Sequence, residues 1–242
     1  MKILIAVATY NEVENVASLI EQIHHYAPSA HVLFLDDNSP DGTGELLEKI
    51  KLSDPKLYLI HRSGKLGLGS AHLAMMDFFL AHPACFDFLI TMDSDFSHHP
   101  KYLPTMINML TKEVEDKKVF VTGSRYVEGG RSGYGLYRHL ISITANFLTK
   151  LLLRIPLKEC TTAYRGYSRK LVQQFRTVPI LSNGYSFFVE SLFVMNRFPK
   201  ICLEEFPIIF EDRTKGKSKI NKKEILYGVL TLLRLFKQRV TS

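Results

Sequence analysis

The sequence predicts an α/β domain with a mostly parallel sheet and helices on both faces of that sheet. Apolar runs of strand length alternate with helical segments through roughly the first 110 residues. In addition, a polar cluster follows each of the first four apolar runs. Because ligands bind at the carboxyl ends of the strands in open α/β sheets, these clusters predict a binding crevice along one sheet edge.

In the amino-terminal half, each predicted strand is a short buried apolar run, and each predicted helix carries apolar residues at helical spacing. The predicted strands are Lys2–Ala8, Val32–Leu35, Leu57–Ile60 and Phe88–Met92. The predicted helices are Glu12–Tyr26, Gly44–Leu52, Leu68–Ala81 and one that opens near Pro100. Asn11 stands three residues before Glu14, a spacing that predicts Asn11 as the N-cap of the first helix.

The carboxy-terminal half is less regular, with a glycine-rich loop predicted over residues 123–135. It contains two predicted strands and three predicted helices: Val119–Thr122, Ile201–Phe210, Leu136–Leu153, Tyr185–Phe198 and Asn221–Val240. We expect one domain over residues 1–220. Residues 221–242 form an amphipathic helix that either packs on this domain or lies at a membrane interface, because its wide apolar face is flanked by cations.

Composition narrows the functional classes. The 242 residues carry a net charge of +7, which favours an anionic partner such as nucleic acid, a phospholipid surface or a phosphorylated substrate. Three scattered cysteines give neither a disulfide framework nor a zinc motif. The sequence has no signal-peptide pattern and no apolar run of about 18 residues, so we expect a cytoplasmic protein, soluble or peripheral on a membrane.

The strongest local motif is Asp93-Ser-Asp95, which directly follows the predicted strand Phe88–Met92. Residues i and i+2 of an extended chain point to the same side, so both carboxylates are expected to face one site. Paired carboxylates suit Mg²⁺ or Mn²⁺, with substrate phosphates filling the remaining positions. The alternative is a pair of solvated loop acids.

Three further motifs could contact a nucleotide or its phosphates, and two of them also have a purely structural interpretation. Asp36 and Asp37 could contact a base or ribose, or could form an Asx turn before Pro40. The turn from Lys65 to Ala71 opens a helix whose amino terminus could attract phosphate, although it lacks dinucleotide-binding glycine spacing. Arg213–Lys219 holds four cations, which form either a solvated face or an arm that closes on phosphates.

Two further features concern buried or metal-binding side chains. Glu190 lies in an apolar helix, where it must be salt-bridged or belong to the site. His98 and His99 follow Asp95, but no third ligand stands at zinc spacing.

Taken together, the motifs resemble the glycosyltransferase family 2 enzymes that make dolichyl-phosphate mannose. The motifs that carry the resemblance, in chain order, are TYNEVEN, LDDNSPDGT, KLGLGSA, MDSDFSHHP, GSRYVEGG, the helix with Arg138, Ser142, Ala145 and Asn146, TTAYRGY and PIIFEDRTKGKSK. The resemblance implies a GT-A-type, Rossmann-like domain that uses Mg²⁺ or Mn²⁺. It also implies the transfer of mannose from GDP-mannose to a polyprenyl phosphate, with inversion of configuration at the sugar carbon. It leaves open another donor such as UDP-glucose, or a non-catalytic nucleotide-sugar-binding subunit.

The resemblance also implies roles for individual residues. The metal is held by Asp93, Asp95 and Ser97. The nucleotide sugar is lined by Ala8, Tyr10, Glu12, Leu35, Asp37, Asp93, Ser94, Asp95, Arg125, Arg213 and Lys219. The residues implied in catalysis are Asp95, Arg125, Arg138, Arg213 and Lys219. A phosphate nucleophile is already ionised near neutral pH, so no strong general base is needed. The resemblance implies a membrane surface on the cytosolic side as a partner and no nucleic acid, and it leaves open a small anchoring subunit.

Overall fold

The computed structural model describes residues 1–112, 117–211 and 222–241, without the side chains of residues 137 and 222. Seven strands form one sheet in the order β3-β2-β1-β4-β7-β5-β8, in which β7 is antiparallel to both neighbours and all other pairs are parallel. These strands are β1 (Ile3–Thr9), β2 (His31–Asp36), β3 (Leu57–His61), β4 (Phe88–Asp93), β5 (Lys118–Ser124), β7 (Arg165–Ser168) and β8 (Ile201–Pro207). β6 (Arg131–Ser132) and β9 (Ile209–Phe210) pair separately as a short parallel ribbon.

Helices cover both faces of the sheet, as predicted. The first face is covered by α1 (Val13–Tyr26), α2 (Thr43–Lys51) and α4 (Leu103–Thr111). The second core, on the opposite face, takes residues from α3 (Leu68–Ala81), α5 (Leu136–Leu153), α6 (Arg169–Phe175), α7 (Phe187–Met195) and α8 (Lys222–Thr241). Along β1, Ile5 and Val7 enter the first core while Leu4 and Ala6 enter the second. Burial on both faces explains why this strand is a continuous apolar run.

The α/β fold class is therefore confirmed, with three local corrections. Asn11 is not the N-cap of α1: its φ is +57° and its backbone N–H donates to Ser39. The N–H of Val13 is instead accepted by Asp41, which lies in the loop after β2. A cap supplied from a distant loop leaves no local sequence signature.

The second correction is β7, which was not predicted as a strand. Its sequence, Arg-Gly-Tyr-Ser, begins with a charged residue and lacks an apolar run. Arg165 is nevertheless fully buried, because its guanidinium donates to the carbonyls of Cys160 and Phe188 and to the Ser191 hydroxyl. Residues Arg169–Phe175, which continue from β7 as α6, were missed with it.

The third correction concerns Ile201–Phe210, predicted as one strand. The segment divides into β8 and β9, with the side chain of Ile208 buried between them. The break moves β9 off the main sheet and brings Phe210 towards the polar edge of the molecule, where it contacts His98.

Helix α8 has two different faces. Leu235 is buried in the second core, and Leu232 and Phe236 pack against that core. The guanidinium of Arg234 pairs with Glu190 of α7 at 2.9 Å. The opposite face of α8 exposes Leu226, Leu230 and Leu233. The predicted boundary between residues 220 and 221 falls outside the described residues, so the proposed division of the chain remains a prediction.

Candidate active site

The carboxyl ends of the central strands bring several predicted site residues side by side. In the register of the sheet, Ala8 of β1 pairs with Leu35 of β2 on one side and with Asp93 of β4 on the other. The Ser94 hydroxyl lies 3.4 Å from the carbonyl oxygen of Ala8. Residues predicted to line the nucleotide and residues predicted to hold the metal thus share one sheet edge.

The Asp93-Ser-Asp95 motif presents two carboxylates in different surroundings. Asp93 is the last residue of β4, and one third of its side chain is exposed. Asp95 is buried, and its Oδ1 accepts hydrogen bonds from the backbone N–H and the hydroxyl of Ser97, at 3.1 Å and 2.6 Å. Ser97, predicted as a metal ligand, is therefore a direct partner of Asp95.

His98 connects this motif to a neighbouring strand. Its Nδ1 accepts the backbone N–H of Asp93 at 3.0 Å, and its Nε2 lies 3.0 Å from the hydroxyl of Thr162. The buried ring also stacks on Tyr164. Both ring nitrogens thus contact protein groups, which agrees with the argument against a zinc site. This structural role of His98 was not predicted, because Thr162 and Tyr164, which define it, are distant in the chain.

Arg125 lies at the end of β5 in a buried ion pair. Its Nε and Nη2 donate to the two carboxylate oxygens of Glu159 at 2.7 Å and 2.8 Å. Burial alone would raise the pKa of Glu159, but the adjacent Arg125 charge holds that pKa below its ordinary value. Arg125, predicted to grip phosphates, is thus engaged with a carboxylate that the sequence did not single out as its partner.

Aromatic rings join Arg125 to the carboxylate motif. The guanidinium lies 5.2 Å from the ring centre of Phe210 and 5.3 Å from that of Tyr134. Arg138, in the first turn of α5, lies 3.8 Å from the ring centre of Tyr134. Burial raises the pKa of Tyr134, while Arg125 and Arg138 oppose this rise and the Asp93 charge adds to it. The predicted cations Arg125 and Arg138 therefore both lie against Tyr134, and the Asp93 charge acts on the same ring.

The two acids at the end of β2, Asp36 and Asp37, are both used within the protein. Asp36 accepts the backbone N–H and the hydroxyl of Ser39, as expected for a turn-forming acid. Asp37 accepts the Nε–H of Arg62. Burial raises the pKa of Asp37, although the hydrogen bond and charge of Arg62 act in the opposite direction. Arg62 was not predicted; its place directly after β3 is the signal that could have found it.

Tyr10 and Glu12 lie in the loop that opens α1. The ammonium group of Lys65 lies 5.1 Å from the ring centre of Tyr10. The backbone N–H of Glu12 donates to the hydroxyl of Thr43, at the start of α2. These contacts hold the loops after β1, β2 and β3 together.

The expectation that the Lys65–Ala71 turn attracts phosphate through the amino terminus of α3 is not supported. Gly69 and Ser70 donate their backbone N–H groups to Asn183, at 2.8 Å and 3.1 Å. A Cβ atom on Gly67 would lie 2.8 Å from the Asn183 carbonyl oxygen. Gly67 thus permits a close approach between two protein segments, and the N–H groups of Gly69 and Ser70 already have protein acceptors.

Two predictions about charged residues have different outcomes. Glu190 proves to be salt-bridged: it pairs with Arg234 and also accepts the backbone N–H of Ser182. Arg213 and Lys219, predicted to grip phosphates, lie outside the described residues, so their roles remain predictions.

The chain belongs to a known enzyme family. Residues 4–176 match the family model described as Glycosyl transferase family 2. The chain is 34% identical over 226 residues to the polyprenol monophosphomannose synthase of Mycolicibacterium smegmatis, covering 92% of this chain and 82% of the relative. It is 33% identical over 235 residues to the undecaprenyl-phosphate mannosyltransferase of Micrococcus luteus, covering 97% of this chain and 93% of that relative. The chain is accordingly a glycosyltransferase.

A solved structure shares the fold. The mannosyltransferase of Pyrobaculum calidifontis, in complex with GDP-Man and Mn²⁺, superposes with a TM-score of 0.58 at 12% identity. The match covers 99% of this chain and 64% of the other. At this identity the likeness establishes a common fold, and this family member has a GT-A-type domain.

One helix of the domain carries an exposed apolar face. In the described part of the chain, none of the helices combines the length and apolar character that crossing a bilayer requires. Helix α5, which packs against α8, exposes large apolar side chains at helical spacing. The exposed side chains of α5 are Leu136, Leu140, Ile143, Phe147, Leu148 and Leu151.

Proposed function

We propose that this glycosyltransferase transfers mannose from GDP-mannose to a polyprenyl phosphate, with inversion at the sugar carbon. The observation that carries the proposal is that Arg125 and Arg138 both lie against Tyr134, while the Asp93 carboxylate stands at the end of β4 and its charge acts on the same ring. A reaction between a nucleotide diphosphate and a phosphate acceptor must hold two polyanions together. The activities named for the two relatives supply the sugar and the class of acceptor.

The donor set agrees with a divalent metal that is completed by substrate. Within residues 1–112, 117–211 and 222–241, no group of three or more His, Cys, Asp or Glu side chains could hold a metal ion alone. Asp93 and Asp95 offer carboxylate oxygens of the kind that Mg²⁺ and Mn²⁺ prefer, and phosphate oxygens would supply further ligands. Asp93, Asp95 and Ser97 would hold the ion, which when bound neutralises the leaving diphosphate.

The remaining chemistry is electrostatic. The acceptor phosphate carries its own ionised oxygen, so the protein need not supply a strong base. Arg138 would bring its fork of donors to a phosphate, while its stacking on Tyr134 fixes the direction of the side chain. Arg125 contributes through the edge of its guanidinium that does not face Glu159. Arg213 and Lys219 would add charge to the phosphates from the carboxy-terminal segment.

The nucleoside end of the donor is proposed to lie along the loops after β1 and β2. There Ala8, Tyr10 and Glu12 line one side, and Leu35 and Asp37 line the other. Asp37 would contact the ribose or base, and Ser94 would sit beside the diphosphate. Support comes from the sheet register, which puts Ala8 between Leu35 and Asp93.

A polyprenyl acceptor requires access to a membrane. The exposed apolar faces of α5 and α8 provide a candidate contact surface, and Lys150, Lys223 and Lys237 lie on the same two helices. Each nearby cation contributes about 1 kcal/mol on an anionic surface, so binding should weaken as salt is raised. A small anchoring subunit seated on the same faces would instead give salt-resistant association.

A donor panel tests the proposal. The purified full chain is incubated with a short polyprenyl phosphate, Mg²⁺ and one of GDP-mannose, UDP-glucose or GDP-glucose, and glycolipid formation is measured. We expect product from GDP-mannose. Product from UDP-glucose alone would show that the donor is UDP-glucose and that the reaction is still transfer of a hexose to a polyprenyl phosphate. Nucleotide-sugar binding without product from any donor would favour a non-catalytic subunit.

A further inference from the structure

Asn183 makes an unusual set of contacts with the glycine-rich turn formed by residues 65–70. Its Nδ2 donates to the carbonyl oxygen of Leu66 at 2.9 Å, and its Oδ1 accepts the backbone N–H of Ser70 at 3.1 Å. Its own carbonyl oxygen accepts the backbone N–H of Gly69 at 2.8 Å. One residue, 113 positions away from Ser70 in the chain, therefore acts as the cap of α3.

The turn can adopt this conformation only because of its glycines. Gly67 has a φ of +101°, a region that L side chains rarely adopt. A Cβ on Gly69 would lie 2.8 Å from the carbonyl oxygen of Ser182 and 2.9 Å from the Cβ of Phe187. Close packing against the segment 182–183 thus accounts for both glycines, with no phosphate needed.

The same turn orients two cations that face the predicted nucleoside site. Arg62 donates from Nη1 to the Ser70 hydroxyl at 2.7 Å and from Nη2 to the Gly67 carbonyl oxygen at 3.3 Å. Its Nε donates to Asp37. Lys65, the first residue of the turn, places its ammonium group over the ring of Tyr10. A shift of the turn would therefore move the partners of both Asp37 and Tyr10.

The segment that carries Asn183 is itself fixed by contacts with helices α7 and α8. Glu190 accepts the backbone N–H groups of Leu181 and Ser182 at 3.3 Å and 2.8 Å, and Arg234 of α8 neutralises its carboxylate. Burial alone would raise the pKa of Glu190, but the bonds from Arg234 and from Ser182 keep this pKa below its ordinary value. The segment before Asn183 is thus anchored to α7 by Glu190, and through Arg234 to α8.

We infer that Asn183 is a positioning residue for donor recognition: it fixes the turn at residues 65–70, and through Arg62 and Lys65 the turn fixes Asp37 and Tyr10. The inference rests on the proposed function, because it takes the loops after β1 and β2 as the nucleoside site. Asn183 itself touches neither the metal-binding carboxylates nor the phosphate-binding cations in the described contacts. Its loss should therefore weaken donor binding and leave the turnover of bound donor largely unchanged.

The test compares Asn183→Ala with two further variants of the full chain. Asn183→Asp retains an acceptor for the Ser70 N–H but loses the donor to Leu66. Asn196→Ala is the matched control, because Asn196 also donates from Nδ2 to a backbone carbonyl, that of Arg154, away from the turn. Amide hydrogen exchange of residues 66–71 reports the turn directly, and calorimetric titration with GDP and Mn²⁺ reports the nucleoside site.

We expect Asn183→Ala to speed exchange at Gly69 and Ser70 and to weaken GDP binding about tenfold, the effect of losing two hydrogen bonds in a fixed turn. KM for the donor should rise by a similar factor while kcat changes less than twofold. Asn183→Asp should fall between wild type and Asn183→Ala, and Asn196→Ala should match wild type.

Three results would count against these claims, each in a different way. Unchanged exchange in Asn183→Ala would show that Asn183 does not fix the turn. Faster exchange with wild-type GDP affinity would show that the turn does not shape the nucleoside site. Each of these two results would overturn the inference about Asn183 and leave the proposed function intact. Failure of the wild-type protein to bind GDP or any other nucleoside diphosphate would overturn the proposed function and, with it, the inference.

Discussion

Replacing Glu159 by glutamine tests how the protein tolerates a buried cation at its sheet edge. Arg125 and Glu159 are joined by two hydrogen bonds of 2.7 Å and 2.8 Å, and their side chains are 4% and 0% exposed. Glu159→Gln conserves size but removes the negative charge, so Arg125 remains buried without its counter-charge. Removing one member of a buried pair costs about 3–5 kcal/mol. We expect the free energy of unfolding to fall by that amount in urea titrations at pH 7.

The pair formed by Arg176 and Asp77 is a control with the same geometry but more exposure. It too has two hydrogen bonds, of 2.6 Å and 3.0 Å, and its side chains are 28% and 56% exposed. Exposed pairs contribute about 0–1 kcal/mol, so Asp77→Asn should change the free energy of unfolding by no more than about 1 kcal/mol. Equal effects of the two substitutions would refute the claim that burial decides the cost.

The pH dependence gives a second readout of the same pair. Although burial acts to raise the pKa of Glu159, the Arg125 charge lowers it below its ordinary value in the folded protein. The unfolded protein then binds the proton more tightly, so stability from this group is present above the unfolded pKa of about 4.3. That stability is lost as the pH falls through the lower folded pKa. The stability difference between wild type and Glu159→Gln should therefore shrink below about pH 4, and a difference that grows on acidification would contradict the assignment.

Three further predictions concern the glycine-rich turn at residues 65–70, the contact of Glu190 with residues 181–182, and the exposed apolar face of α5. Gly67→Ala should lower the unfolding free energy by about 1–3 kcal/mol, because φ is +101° and the new Cβ meets Asn183; an unchanged melting temperature would contradict this. Glu190→Gln leaves the backbone N–H groups of Leu181 and Ser182 with a weaker acceptor, so amide exchange at residues 181–183 should accelerate. Equal exchange rates in the variant and the wild type would show that Glu190 does not fix this segment. Leu140→Ser with Phe147→Ser should reduce sedimentation with anionic liposomes while changing stability by less than about 0.5 kcal/mol; undiminished sedimentation would remove α5 from the membrane contact.

Much of the fold was predictable because its first half follows simple patterns. Strands β1, β2 and β4 are buried on both faces and so appear as continuous apolar runs separated by helical periodicity. β7 was missed because Arg165 and Gly166 resemble loop residues, and only the carbonyls of distant segments make the buried guanidinium tolerable. The cap of α1 by Asp41 was missed for the same reason, since the acceptor comes from another loop.

The sequence indicates candidate site residues where neighbours in the chain form the pattern, and not where contacts across the fold form it. Asp93 and Asp95 are candidates because of their position after an apolar strand, and their role in the site stays a prediction. The pairing of Arg125 with Glu159 joins residues 34 positions apart and leaves no local pattern. The glycines near Lys65 were interpreted as a phosphate-binding feature, whereas they permit close packing against residues 182–183. A glycine signals that space is limited but does not identify what fills the space.

The most direct test of the central claim is transfer of radiolabelled mannose from GDP-mannose to a short polyprenyl phosphate by wild type and by Asp95→Asn. The proposed function requires the wild-type reaction to stop on chelation and to return when Mg²⁺ or Mn²⁺ is added back. It also requires Asp95→Asn to remain inactive at every metal concentration while its melting temperature stays close to that of wild type. Wild-type turnover by folded Asp95→Asn, or transfer that persists after complete chelation, would contradict the role assigned to the carboxylate pair.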